Sequence, residues 1–124
     1  MTTYGPYSPV REAGNLLFVS GQVGVNPANG AAPRDIAAQT ERALLNLENV
    51  LQKVGAELGD VIKTTVFLTD MANFEAMNAV YEQRFAAPWP ARSTVAVREL
   101  PRVAGDTTLL IEIEAVVCKR DKRA

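Results

Sequence analysis

The sequence predicts an α+β domain in which two helices pack on one face of a single β-sheet. Three observations carry that expectation. Apolar residues recur at helical spacing over 36–54 and again over 74–85. Short apolar or alternating runs at 16–20, 61–68, 91–97 and 109–118 read as strands. Each of the last two strands has one smooth apolar face and one mixed face, and two helices can cover only one side of such a sheet.

The N-terminal GPYSP is turn-like, because Gly5, Pro6 and Pro9 interrupt regular structure. Leu16–Ser20 (LLFVS) follows as a strand, and NPANGAAP at 26–33 as a loop built on Asn-Gly and two prolines. The first helix carries Ile36, Ala43, Leu44, Leu47, Val50, Leu51 and Val54 on its inner face. Asp35 is placed to cap it and Gly55 to end it in a left-handed conformation. Asn46, Glu48, Asn49 and Gln52 fall on its wet side. Val61–Leu68 is β-branched and aromatic, hence a strand. A second helix begins near Asn73 with an inner stripe of Phe74, Met77, Tyr81 and Phe85, and AAPWP stops it.

The final strands complete the sheet. Alternation puts Ser93, Val95 and Val97 on one face of the first and Arg92, Thr94 and Ala96 on the other. In the second, Leu109, Ile111, Ile113, Ala115 and Val117 oppose Leu110, Glu112, Glu114, Val116 and Cys118. The apolar faces are assigned to the helices. The mixed faces, with Arg92, Thr94, Glu112 and Glu114, are then expected to form an oligomer interface enclosing a polar site. The charged tail KRDKRA is expected to fray.

Composition excludes several chemistries. The 124 residues fit one domain over 1–124, and at 48% hydrophobic and 22% charged they can bury a core. The net charge of −1 exerts no pull on nucleic acid or an anionic membrane. Without histidine there is no Ser-His or Cys-His nucleophile pair, and no metal is expected. The single cysteine, Cys118, excludes an internal disulfide and suits a reducing compartment. No apolar run has signal-peptide or membrane-span length, so the expected compartment is cytoplasmic, with no membrane partner. SGQVG lacks a phosphate-loop lysine, and no GxGxxG follows a strand, so nucleotide loops are discarded.

Arg92 opens a strand at WPARSTV, and a guanidinium fork there suits a carboxylate. Glu112 and Glu114 project from one strand face. A partly buried carboxyl of that pair could act on water or an amine. Tyr7, Ser20 and Asn78 carry weaker signals, since such residues are more often packing or exposed.

The series GPYSP, LLFVSGQVGVNPANG, DVIKTTVFLTDMANFEAMNAVYEQRF, PARSTVAV and IEIEAVV resembles the RidA (YjgF-type) imine deaminase family from about Gly5 to Val117. That resemblance implies a chorismate-mutase-like fold with a mixed sheet, assembled as a homotrimer around a central barrel with sites between subunits. It implies hydrolysis of 2-iminobutanoate- or 2-iminopropanoate-type enamines and imines, which pyridoxal-phosphate enzymes release, to 2-keto acids and ammonia without a cofactor. By position, Arg92 matches the arginine that binds the substrate carboxylate, and Glu112 the acid that positions water. Tyr7, Ser20 and Asn78 match pocket residues. Thr94 stands where many members have cysteine. The 86–89 connection is shorter than the family pattern, and 101–110 is longer. A carboxylate sensor without turnover and a ribonuclease are the competing readings.

Overall fold

The structure, a computed structural model, describes residues 3–120. Seven elements follow in order: β1 (Val10–Ala13), β2 (Leu16–Val23), α1 (Ile36–Lys53), β3 (Val61–Leu68), α2 (Phe74–Arg84), β4 (Ala91–Ala96) and β5 (Ile111–Cys118). The sheet order is β1-β2-β5-β3-β4. Among the described residues, only β3 and β4 pair in parallel. Strands β2 and β3 also run parallel to each other, because each is antiparallel to β5 between them. The crossovers β2-α1-β3 and β3-α2-β4 therefore step the same way across the sheet. The right-handed preference of such crossovers puts both helices on one face.

Local chemistry explains the boundaries. The Asp35 side chain accepts a hydrogen bond from the Ala38 amide at 3.1 Å, and Gly55 sits at φ +77° just past the end of α1. The core joins Leu17 and Val19 of β2, Leu44, Leu47 and Leu51 of α1, Val66 and Leu68 of β3, Met77 and Tyr81 of α2, and alternate residues of β5. The first strand has no counterpart in the sequence reading. Three of its four residues, Arg11, Glu12 and Ala13, are exposed, so VREA has no apolar alternation to detect. Its hairpin partner comes from the Gly14 turn, at φ +62°.

Two further expectations change. Asn46 is not on a wet face: its amide donates to the carbonyls of Val23 and Val25 at 2.9 and 2.8 Å, tying α1 to the end of β2. The start of KRDKRA does not fray, since Lys119 pairs with Glu12 at 3.3 Å and Arg120 with the buried Asp60 at 2.5 Å and with Glu57. Residues 121–124 of that tail lie outside the described residues.

Gln39 holds the long segment before β5. It is fully buried. Its amide nitrogen donates to the carbonyls of Pro33 and Thr108 at 2.8 and 3.0 Å, and its oxygen accepts from the Leu110 amide at 2.7 Å. One side chain thus joins the 26–33 loop, α1 and the 101–110 segment. A Gln39→Leu variant keeps much of the volume and strands three backbone groups. It is expected to lower the unfolding free energy by about 2–4 kcal/mol in urea denaturation. A loss below about 1 kcal/mol would mean that water replaces those bonds freely.

Candidate active site

The sheet divides the candidate residues between two places. Strand β4 is an edge strand, and alternation alone left its orientation open. Its parallel register with β3 sets Arg92 beside Thr64 and Thr94 beside Val66. Thr64 and Val66 are fully buried toward the helices. Arg92 and Thr94 therefore face α2, whereas Ser93 and Val95 lie on the uncovered side. This reverses the expected assignment for β4. The reversal has a cause: aromatic rings of α2 accept the guanidinium, so the charged face can go inward.

The Arg92 guanidinium carbon lies 4.8 Å from the Tyr81 ring centroid and 5.6 Å from that of Phe74. One of its nitrogens is 4.0 Å from Met77 Sδ. Tyr81 is itself fixed by a 2.7 Å hydrogen bond between its hydroxyl and that of Thr64. Burial raises the Tyr81 phenol above its ordinary pKa, while the Thr64 bond and the Arg92 charge pull it back. Among the described residues, Arg92 has no carboxylate partner. It opens on a hollow of about 390 Å³ lined by Asn78, Tyr81, Glu82, Trp89, Pro90 and Arg92. The Oδ1 of Asn78 is buried there without a hydrogen-bond partner. A guanidinium without a carboxylate partner, open to this hollow, can take a ligand that carries a carboxylate. Thr94 shares the face of Arg92 but does not line the hollow.

Glu112 belongs to the opposite face. In β5, Ile111, Ile113, Ala115 and Val117 are buried toward the helices. Glu112 and Glu114 project from the other side, as the alternation predicted. Glu112 is half-buried and Glu114 exposed. Its carboxylate covers Gly21, where a Cβ would come within 2.5 Å of Oε2 and 2.8 Å of Cγ. Gly21 lies in the register shift between Val19 and Gln22, an extra residue in β2 that leaves this space open. Burial first, then the Glu114 charge, raises the Glu112 carboxyl above its ordinary pKa. That makes its anion a stronger base toward water.

Tyr7 and Ser20 meet at the N-terminal turn beside β2. The Ser20 hydroxyl donates to the Ser8 carbonyl at 2.6 Å, and its amide to the Pro9 carbonyl at 2.9 Å. These two bonds seat the N-terminal turn on β2. Tyr7, half-exposed, then shares with Gly21 a cavity of about 480 Å³ between that turn, β2 and α1.

Arg92 thus joins Asn78 at one hollow, Glu112 stands over Gly21 on the other face, and Tyr7 and Ser20 belong to the N-terminal turn, whose cavity Glu112 does not line. Opposite faces of one sheet cannot converge on one small molecule. Sequence reasoning missed Trp89, Tyr81 and Gly21 as parts of these groups. An unexplained tryptophan next to PARS was the available signal for the first. Among the described residues, no group of three metal-ligating side chains clusters, and no helix is long and apolar enough to cross a membrane.

Comparison with known proteins gives a consistent outcome. The family model described as Endoribonuclease L-PSP matches residues 1–119. The 2-iminobutanoate/2-iminopropanoate deaminase of Escherichia coli K12 is 41% identical over 119 residues, covering 94% of this chain and 89% of that protein. A RutC family protein of Pyrococcus horikoshii is 44% identical, covering 93% and 88%. Among solved structures, RidA from an Antarctic Psychrobacter superposes with a TM-score of 0.88 at 32% identity, covering 94% of this chain and 91% of that one. Escherichia coli TdcF with bound serine superposes with a TM-score of 0.86 at 35% identity, covering 95% and 91%.

Proposed function

We propose a function from one premise: this chain belongs to the Endoribonuclease L-PSP family, the family of the YjgF and RidA proteins. It hydrolyses reactive 2-imino acids and their enamines, of the 2-iminobutanoate and 2-iminopropanoate type, to 2-keto acids and ammonia. The observation that carries this reading is Arg92, a guanidinium held by aromatic rings, without a carboxylate partner among the described residues and open to a hollow. A fixed fork of that kind suits the α-carboxylate shared by all such substrates.

The chemistry divides among named groups. Arg92 binds the substrate carboxylate through two parallel hydrogen bonds. Asn78 lines the hollow beside the bound imine. Water oriented by Glu112 adds to the electrophilic carbon and gives up a proton to that carboxylate. Glu112 then returns that proton to the amine nitrogen of the carbinolamine, the hydroxyl proton passes to solvent, and the C–N bond breaks as the carbonyl forms, releasing ammonia. Tyr7 and Ser20 shape the pocket, with Ser20 acting through the turn it anchors. Free imines hydrolyse in water unaided, so positioning and one tuned carboxylate supply what is required.

Arg92 and Glu112 lie on opposite faces of the sheet, and the reading joins them through a second copy. The uncovered face presents Phe18 and Val95, 48% and 42% exposed, together with Val116. Three such faces closing into a barrel would set Arg92 of one chain against Glu112 of another. The assembly is thus a homotrimer of single-domain chains spanning 1–124, and the reading places it in the cytoplasm, protecting against intermediates that pyridoxal-phosphate enzymes release. A charge placed on that face should break it. Val95→Glu is expected to lower the mass by light scattering from three chains to one, with loss of activity. A trimer that survives this change would refute the interface.

The activity itself is tested by keto-acid and ammonia release from freshly generated 2-iminobutanoate. Release no faster than in buffer would overturn the assignment.

A further inference from the structure

We propose that Trp89 sets the side-chain preference of this site, favouring 2-imino acids with branched or aromatic side chains over the short chain of 2-iminobutanoate. The inference rests on the reading that Arg92 holds the substrate carboxylate. Trp89 is the only tryptophan in the chain, and it is 52% exposed. Exposure of so large an apolar surface suits a binding wall. It lines the same hollow as Arg92, next to Pro90 and Tyr81.

Spacing and size agree. A residue before proline is held extended, so Trp89 and Arg92, three positions apart, are about 10 Å apart along the chain. Both side chains line the one hollow, so a substrate anchored at Arg92 by its carboxylate can extend its own side chain toward Trp89. The hollow of about 390 Å³ corresponds to roughly 13 water volumes. A four-carbon imine fills only a small part of the hollow that a single chain presents. Glu82 also lines the hollow, so an acidic side chain is disfavoured and an apolar one is the better fit.

Because the chain has one tryptophan, its emission reads the wall directly. Wild type is titrated with 2-keto-4-methylpentanoate and with 2-ketobutyrate, each product-shaped and stable. The branched acid is expected to bind about tenfold tighter and to shift the emission to the blue. By calorimetry, Trp89→Phe should keep that preference and Trp89→Ala should lose it. In turnover, Trp89→Ala is expected to lower kcat/KM for the leucine-derived imine about tenfold and for 2-iminobutanoate less than about threefold. Equal affinity of wild type for the two keto acids overturns the proposal. So does an equal loss on both substrates in Trp89→Ala. A keto-acid preference that depends on Trp89, in a protein that hydrolyses neither imine, supports the wall and removes the deaminase reading instead.

Discussion

Arg92→Ala is expected to lower kcat/KM for 2-iminobutanoate by about 100- to 1,000-fold. The magnitude follows from two charge-assisted hydrogen bonds to the substrate carboxylate, together about 3–4 kcal/mol, at 1.36 kcal/mol per tenfold. Arg92→Lys restores a charge without the fork and should recover less than about a tenth of the lost rate. The loss should fall on both KM and kcat, because the carboxylate contact also fixes the imine carbon against the attacking water. Folding should be only slightly affected, since Arg92 lies on an edge strand and opens on the hollow, and a thermal melt checks this. An alanine variant retaining near-wild-type kcat/KM would remove Arg92 from the mechanism.

Glu112→Gln is expected to separate activity from stability. Loss of the carboxylate base should lower kcat by about 100-fold or more. The same change should stabilise the fold at neutral pH. The raised carboxyl means that the folded state favours the protonated form. The stability contributed by that form is fully present below the ordinary value of 4.5 and is lost as pH rises through the higher folded value. At pH 7, ionised Glu112 is therefore a burden on folding, and a neutral isostere lifts it. Melting temperatures should place the glutamine variant above wild type at pH 7, with the difference vanishing well below pH 4.5. In wild type, kcat/KM should rise with pH as Glu112 ionises and then level off. A glutamine variant less stable than wild type at pH 7 would contradict the burial argument, and an unchanged kcat would contradict the chemical one.

The helices and β3 were legible because their patterns are local. Asp35 and Gly55 bracket α1, and the β-branched run at Val61–Leu68 has no helical period. Strand β1 was not legible, since its place is set by the Gly14 turn and by pairing with β2, not by its own apolarity. The harder failure was the face of Arg92. Alternation says which residues of β4 share a side and is silent on which side is inner. Apolarity pointed Val95 inward, but the pairing of Arg92 with Thr64 decided the matter, and Phe74 and Tyr81 made a buried approach tolerable for a charge. The candidate residues Arg92 and Glu112 came from the PARS and IEIEA stretches. Their separation by the sheet could not be read there, because it depends on strand order. Trp89 was visible in the sequence only as an oddity, since an exposed tryptophan gains meaning from the hollow beside it.

The placement of Arg92 and Glu112 on opposite faces has a genetic consequence. In the proposed trimer, with each site shared between two chains, neither chain of a mixed population needs both residues intact. A chain with Arg92→Ala still offers a sound glutamate to its neighbour, and one with Glu112→Gln still offers a sound arginine. Two dead alleles expressed together would thus complement each other. If equal amounts assemble at random, about a quarter of the sites combine the two intact halves. A single damaged allele would silence sites only in proportion to its dose, so defects at either residue should be recessive.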